Sequence, residues 1–276
     1  MLTTFYNHVI EAAKQENLSL KEVSKQINEH GIKGVEIDYR DLDPTGRNFN
    51  KELAGELSDA GIPIFGCYVF YDWGRHPFDI SYKRIYKNLA SIGVKNSLAI
   101  PGMLPKGMDP KKAMKRMAKR LKKAVAYANS LGITVLLEDF DDCIAPFSTA
   151  AGMKYFFDEV KDLKCAFDTG NFFYSDEDAL EKLPMFIDNT AYVHCKDRSL
   201  DVKEGEEPKA TVSGVNMYSS PVGSGVIPMK EIIERLLKHG YKGSFAIEHF
   251  GSKHQLSDMI TSADYLNELL SSCDDK

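Results

Sequence analysis

Glu138, Asp168, His194 and Glu248 are four potential metal ligands, and each closes a short apolar run. The runs are Ile133-Thr-Val-Leu-Leu-Glu138, Lys164-Cys-Ala-Phe-Asp168, Ala191-Tyr-Val-His194 and Ser244-Phe-Ala-Ile-Glu248. Three carboxylates with one imidazole suit a divalent cation, because hard oxygen donors and a borderline nitrogen bind such ions together. Two of the four are glutamates, which can also carry protons. The ligands are separated by 30, 26 and 54 residues. About 30 residues is the length of one strand, one helix and their connections. Ligands at the same end of successive parallel strands would converge on one point, which favours an enzyme over a scaffold.

The rest of the chain divides into eight strand-then-helix units. Strands are expected at Leu2 to Val9, Gly34 to Asp38, Pro63 to Val69 and Ser97 to Ile100, and then the four runs above. Helices are expected near residues 19–29, 50–60, 80–92, 110–131, 148–160, 176–187, 228–239 and 253–270. Ser19 with Glu22 forms a capping box, and Gly31, Gly61, Gly93, Gly132 and Gly240 are stop signals. Regular alternation predicts a parallel sheet with helices outside, and eight units predict closure into a single (β/α)8 barrel over 1–276. A doubly wound open sheet is the competitor, but it gives no reason for ligands on the last four strands to meet. The longest connection, 196–227, has the length of a functional loop. No GxGxxG turn or P-loop is present.

The composition agrees. The 276 residues are 43% hydrophobic and 27% charged, with a net charge of −5, which suits a globular protein and gives no basis for nucleic acid or an anionic membrane as partner. One basic stretch, Lys111 to Lys123, has helical spacing and is expected to form a solvated face. Cys67, Cys143, Cys165, Cys195 and Cys273 are scattered without a CxxC pair, as for thiols in a reducing cytoplasm. No secretory signal or membrane-length apolar run is visible, so a cytoplasmic location is expected.

Several motifs carry a resemblance. Gly34-Val-Glu36, Glu138, Asp168-Thr-Gly-Asn171, Tyr192-Val-His194-Cys-Lys-Asp197, Gly223-Ser-Gly225, and Gly240-Tyr-Lys-Gly243 before Glu248 resemble the sugar phosphate isomerase/epimerase family. This is the xylose-isomerase-like TIM barrel superfamily, which also holds ketose 3-epimerases, hydroxypyruvate isomerase and inosose dehydratase. The likeness is strongest from residue 133 onward. It implies one divalent ion (Mn2+, Co2+, Mg2+ or Zn2+) held by Glu138, Asp168, His194 and Glu248. It also implies proton transfer by Glu138 and Glu248 beside a carbonyl, through an enediolate, on a small sugar or polyol.

Lys196 shares a strand face with His194, and the resemblance makes it a substrate contact; the alternative is a salt bridge to a ligand carboxylate. Glu36 is expected either to bind substrate or to pair with a cation at the barrel mouth. Trp73, with Arg75 and His76 nearby, is expected either to wall the sugar site or to pack at the surface. The Gly223-Ser-Gly225 turn is open to two readings, a phosphate cradle or a plain tight turn. Two residues depart from the family: Asn171 stands where many members have His, and Asp139 where Asn is common. Asn171 is expected at the substrate. The alternatives are a dehydratase of a cyclic keto-polyol, a DNA-repair nuclease of the same superfamily, and a barrel that binds sugar without turnover. Only seven histidines and a negative charge weigh against the nuclease. Assembly into a homo-oligomer stays open.

Overall fold

A computed structural model describes residues 1–274. Eight parallel strands close on themselves: β1 (Leu2–Phe5), β2 (Ile32–Asp38), β3 (Ile64–Phe70), β4 (Asn96–Ile100), β5 (Thr134–Leu137), β6 (Lys164–Asp168), β7 (Thr190–Ser199) and, after an excursion, β10 (Phe245–Glu248). They pair in chain order, and β10 bonds both β7 and β1. This is the expected (β/α)8 TIM barrel. Its register sets Asp168 beside His194, and Lys196 beside Glu248.

The first strand is shorter than expected. Residues after Phe5 turn at once into the helix Tyr6–Glu16, which buries His8, Val9 and Ala12 at helical spacing and stops at Asn17 in the left-handed region (φ 54°). The capping box on the helix Leu20–Glu29 forms as expected, with Ser19 and Glu22 each bonding the other's backbone N–H.

The long connection is not a bare loop. The chain stays extended past His194 to Ser199, because Asp197, Arg198 and Ser199 pair antiparallel with β9 (Asn216–Ser220), which also takes the two-residue β8 (Lys209–Ala210). His194 therefore lies inside a strand, and Lys196 rides the same strand into the barrel mouth.

In the helix Pro110–Ser130, Lys111, Lys112, Lys115, Lys119, Lys122 and Lys123 are exposed, as the charge pattern predicts. Its arginines turn the other way. Arg116 donates to Gly74 O and Arg120 to Pro77 O, tying down the loop after β3.

Candidate metal centre

Glu138, Asp168 and His194 are buried at the C-terminal mouth of the barrel, and one ligand atom from each lies within 4.8 Å of the others. His194 Nδ1 is 2.6 Å from Glu138 Oε2, 3.6 Å from Glu248 Oε2 and 4.0 Å from Asp168 Oδ2. Glu248 is thus beside the group, but its other oxygen is held by Lys196 Nζ at 2.7 Å.

Asp168 is oriented by its own turn. Gly170 and Asn171 each donate a backbone N–H to Oδ1 at 2.7 Å, which leaves Oδ2 buried without a hydrogen-bond partner among the described residues. A buried, unpartnered carboxylate oxygen is costly, and a cation is the partner its charge asks for. The donor set and this orphaned oxygen fit a divalent ion. Gly170 has to be glycine, since a Cβ there would lie 2.6 Å from Lys196 O.

Burial and charge act together on these groups. Burial pushes Asp168 up to about 8, with Glu248 and Glu138 adding to the rise. Burial also raises Glu138, and the His194 imidazole only partly offsets it. For Glu248 burial is overcome by the Lys196 ammonium and by His194, which hold it below the usual carboxylate range. Burial alone would lower His194, but Glu36 and Glu138 on its two sides hold it well above its ordinary value.

Glu36 does not reach the cavity. Its Oε1 lies 3.1 Å from His194 Nε2, on the far side of the ring from the carboxylates. The expected substrate contact is corrected to an orienting one: Glu36 accepts from Nε2–H, so Nδ1 faces Glu138, Asp168 and Glu248. Gly66 across the strand pair makes room, because a Cβ there would stand 2.9 Å from Glu36 Cγ.

Trp73 is also corrected. It is fully buried, stacks on Tyr71 with ring centroids 3.8 Å apart, and does not line the cavity. Arg116 and Arg120 of the helix Pro110–Ser130 bond the backbone of its loop, and Arg75 and His76 each lie 3.7 Å from Asp72.

Lys196 and Asn171 do line the cavity, and they bond each other at 2.7 Å while Asn171 Nδ2 donates to Asp139 O. Asp139 itself points away from any partner, and burial, then Asp168 and Glu138, drives its carboxyl well up.

The cavity holds about 260 Å³, and a third of its lining residues are aromatic: Phe5, Tyr68, Phe70, Phe140 and Phe250, together with Glu138, Asp141, Lys196 and Glu248. Sequence reasoning missed Asp141, which receives Lys196 at 3.4 Å and Lys209 at 2.7 Å, and it missed Asp38 and Arg40 at the rim. Asp38 carried a faint signal, since it shares a strand face with Glu36; Asp141 is in a loop and carried none. Of the two readings of the glycine turn, the structure favours the plain tight turn. Gly223 and Gly225 donate to Asp197 Oδ2 at 2.9 Å, so their N–H groups face the chain's own carboxylate.

A family model for the xylose isomerase-like TIM barrel matches residues 24–269. The chain belongs to that family. Two inosose dehydratases match in part. One from Bacillus licheniformis (strain ATCC 14580) is 35% identical over 88 residues, 30% of this chain and 28% of the relative. One from Geobacillus thermodenitrificans (strain NG80-2) is 35% identical over 94 residues, 33% of this chain and 31% of the relative. The match thus spans under a third of the length of these relatives. Three solved structures share the fold: the IOLI protein with a bound zinc atom (TM-score 0.74, 16% identity, 98% of each chain), a xylose isomerase-like protein from Mycobacterium smegmatis with magnesium (0.70, 16%, 92% and 88%), and the 3-keto-D-glucoside 4-epimerase YcjR of E. coli (0.65, 18%, 98% of each). Among the described residues no helix is long and apolar enough to cross a membrane.

Proposed function

We propose that this chain is a divalent-metal-dependent isomerase or epimerase of a ketose or related polyol. The observation that carries the reading is the convergence of Glu138, Asp168 and His194 within 4.8 Å, with no hydrogen-bond partner for Asp168 Oδ2 among the described residues, beside a sugar-sized cavity that Glu138 and Glu248 line. Glu138, Asp168, His194 and Glu248 would hold the ion. When bound, it supplies Lewis-acid stabilisation of the negative charge that builds on substrate oxygens.

The proton work falls to the chain. Glu138 and Glu248 both line the cavity, just past the end of β5 and at the end of β10, and so reach a substrate from two sides. One takes the proton from the carbon beside the carbonyl, leaving the electron pair as an enediolate. The other returns a proton to the opposite face, giving the epimer, or to the neighbouring carbon, giving the isomer. Lys196, pinned by Glu248 and Asn171, presents its ammonium to substrate oxygens. The aromatic wall excludes water and packs against C–H faces.

The inosose dehydratase matches support a second reading, loss of a β-hydroxyl from a cyclic keto-polyol with the same base. Proton exchange in D2O over a panel of ketoses and keto-polyols, with Mn2+ added, separates these. Isomer or epimer formation with deuterium uptake and no loss of water supports the first; water loss with an enone absorbance supports the second. Glu138→Gln removes exchange in either case. No exchange with any compound, in a protein that also binds no metal, would sink both.

A further inference from the structure

We infer that the cavity selects an unphosphorylated, monosaccharide-sized polyol or ketose and rejects its phosphate ester. This rests on the sugar-enzyme reading of the site and names its substrate class.

Phosphate sites in this architecture are built from the loops after the last two strands of the barrel and a helix N-terminus. Here the chain has turned several of those donors on its own side chains. After β7, the backbone N–H groups of Arg198, Gly223, Gly225 and Ile227 all donate to the buried Asp197 carboxylate. A phosphate at that turn would meet a carboxylate in place of free donors, and a Cβ at Gly225 would lie 2.2 Å from Asp197 Oδ1, so no room is left. After β10, Lys253 N donates to Glu206, His254 N to Ser252 Oγ and Gln255 N to Gln15 Oε1, which caps the start of the last helix. The Gly170–Asn171 N–H pair is spent on Asp168.

The cations at the mouth are each charge-balanced by a carboxylate, so Lys196 can still donate to a neutral hydroxyl but brings no net charge to a phosphate. Lys196 bonds Glu248 and Asn171 at 2.7 Å, and Lys209 bonds Asp141 at 2.7 Å. Arg40 grips Asp38 through Nε and Nη2 and lies over the Phe70 ring. Among the described residues Arg198 has no carboxylate partner, but it is buried outside the cavity lining and donates to Phe250 O. The lining carries Asp38, Glu138, Asp141 and Glu248 against Arg40 and Lys196. A divalent ion would bring that set to neutrality, and a phosphate dianion would then stand uncompensated. A neutral polyol meets matched donors and acceptors on one side and an aromatic wall on the other. The cavity volume of about 260 Å³ is enough for one sugar unit.

The test is calorimetric titration of the Mn2+-loaded protein with two pairs: D-fructose and its 6-phosphate, myo-inositol and its 1-phosphate. Inorganic phosphate serves as competitor. The neutral member of at least one pair is expected to bind on the order of 100-fold more tightly than its ester, the penalty of one unpaired charged group. Inorganic phosphate is expected not to compete. Asp38→Asn, which frees the Arg40 guanidinium, should narrow the gap about tenfold, the worth of one charge-assisted hydrogen bond. Equal or tighter binding of the esters overturns the inference, and so does failure of both neutral probes to bind at tens of millimolar. A neutral preference without D2O exchange would leave this inference standing while the isomerase reading falls.

Discussion

Glu36→Gln isolates the carboxylate that stands behind the metal-facing histidine. Glu36 Oε1 accepts from His194 Nε2 at 3.1 Å, with both side chains almost fully buried. The amide keeps the size and one acceptor oxygen but removes the charge. A hydrogen bond to a charged group contributes about 1.5–3 kcal/mol and a neutral one about 0.5–1.5, so the loss is about 1–1.5 kcal/mol. That corresponds to roughly a tenfold weaker hold on the metal, the lower end of the range for partners of this kind. Glu36→Ala, which leaves Nε2 unpaired and a void beneath the ring, should approach ~100-fold. Isothermal titration of the metal-free protein with Mn2+ gives Kd directly, and circular dichroism checks the fold. A Glu36→Gln protein with an unchanged Kd would refute the reasoning, because the ring would then be held by packing alone. A changed KM for sugar with an unchanged metal Kd would restore the substrate-contact role.

The metal-free protein should lose stability as pH rises from about 4 to about 8. Asp168 keeps its proton until about 8 in the fold but would release it near 3.8 when unfolded, so the native state binds more protons across that window. His194, raised well above 6.5, acts in the same direction: its contribution is full below 6.5 and is lost as pH climbs through its folded value. Glu248, which is lowered, opposes them. Mn2+ should flatten the trend and bind more tightly as pH rises, because it displaces these protons. Thermal melts with EDTA or Mn2+ read this out, and a rising EDTA curve would contradict it. Gly66→Ala should weaken Mn2+ binding by pushing Glu36 off His194, given the 2.9 Å approach to Cγ; unchanged affinity would show that Glu36 gives way without consequence. Trp73→Ala should cost about 3–5 kcal/mol in urea unfolding yet leave the Mn2+ Kd within threefold, as for a residue whose stack on Tyr71 is purely structural.

The strand-end ligands were legible because barrel chemistry repeats with the βα unit: Glu138, Asp168 and Glu248 each follow an apolar run that is itself a local signal. The capping box at Ser19 and the basic helix were legible for the same reason, since helix periodicity is written within a few residues. The reach of the first strand was misread, because residues 6–9 fit a short strand by composition and only the burial of Val9 and Ala12 against the barrel selects the helix.

The roles of Glu36, Trp73 and the glycine turn were decided by tertiary structure alone. Whether Glu36 meets sugar or histidine depends on Gly66, 30 residues away in sequence but alongside it in the sheet. Trp73 is buried against Tyr71, in a loop whose backbone is bonded by arginines about 40 residues downstream. The Gly223–Gly225 donors are taken by Asp197 because β7 runs on past His194 to pair with β9. By itself the sequence determined the barrel and which side chains could gather at its mouth, since both follow from local periodicity. Which of them turn toward a ligand and which toward one another was set by closure of the sheet, because burial leaves each charged group no alternative to the nearest partner that packing supplies.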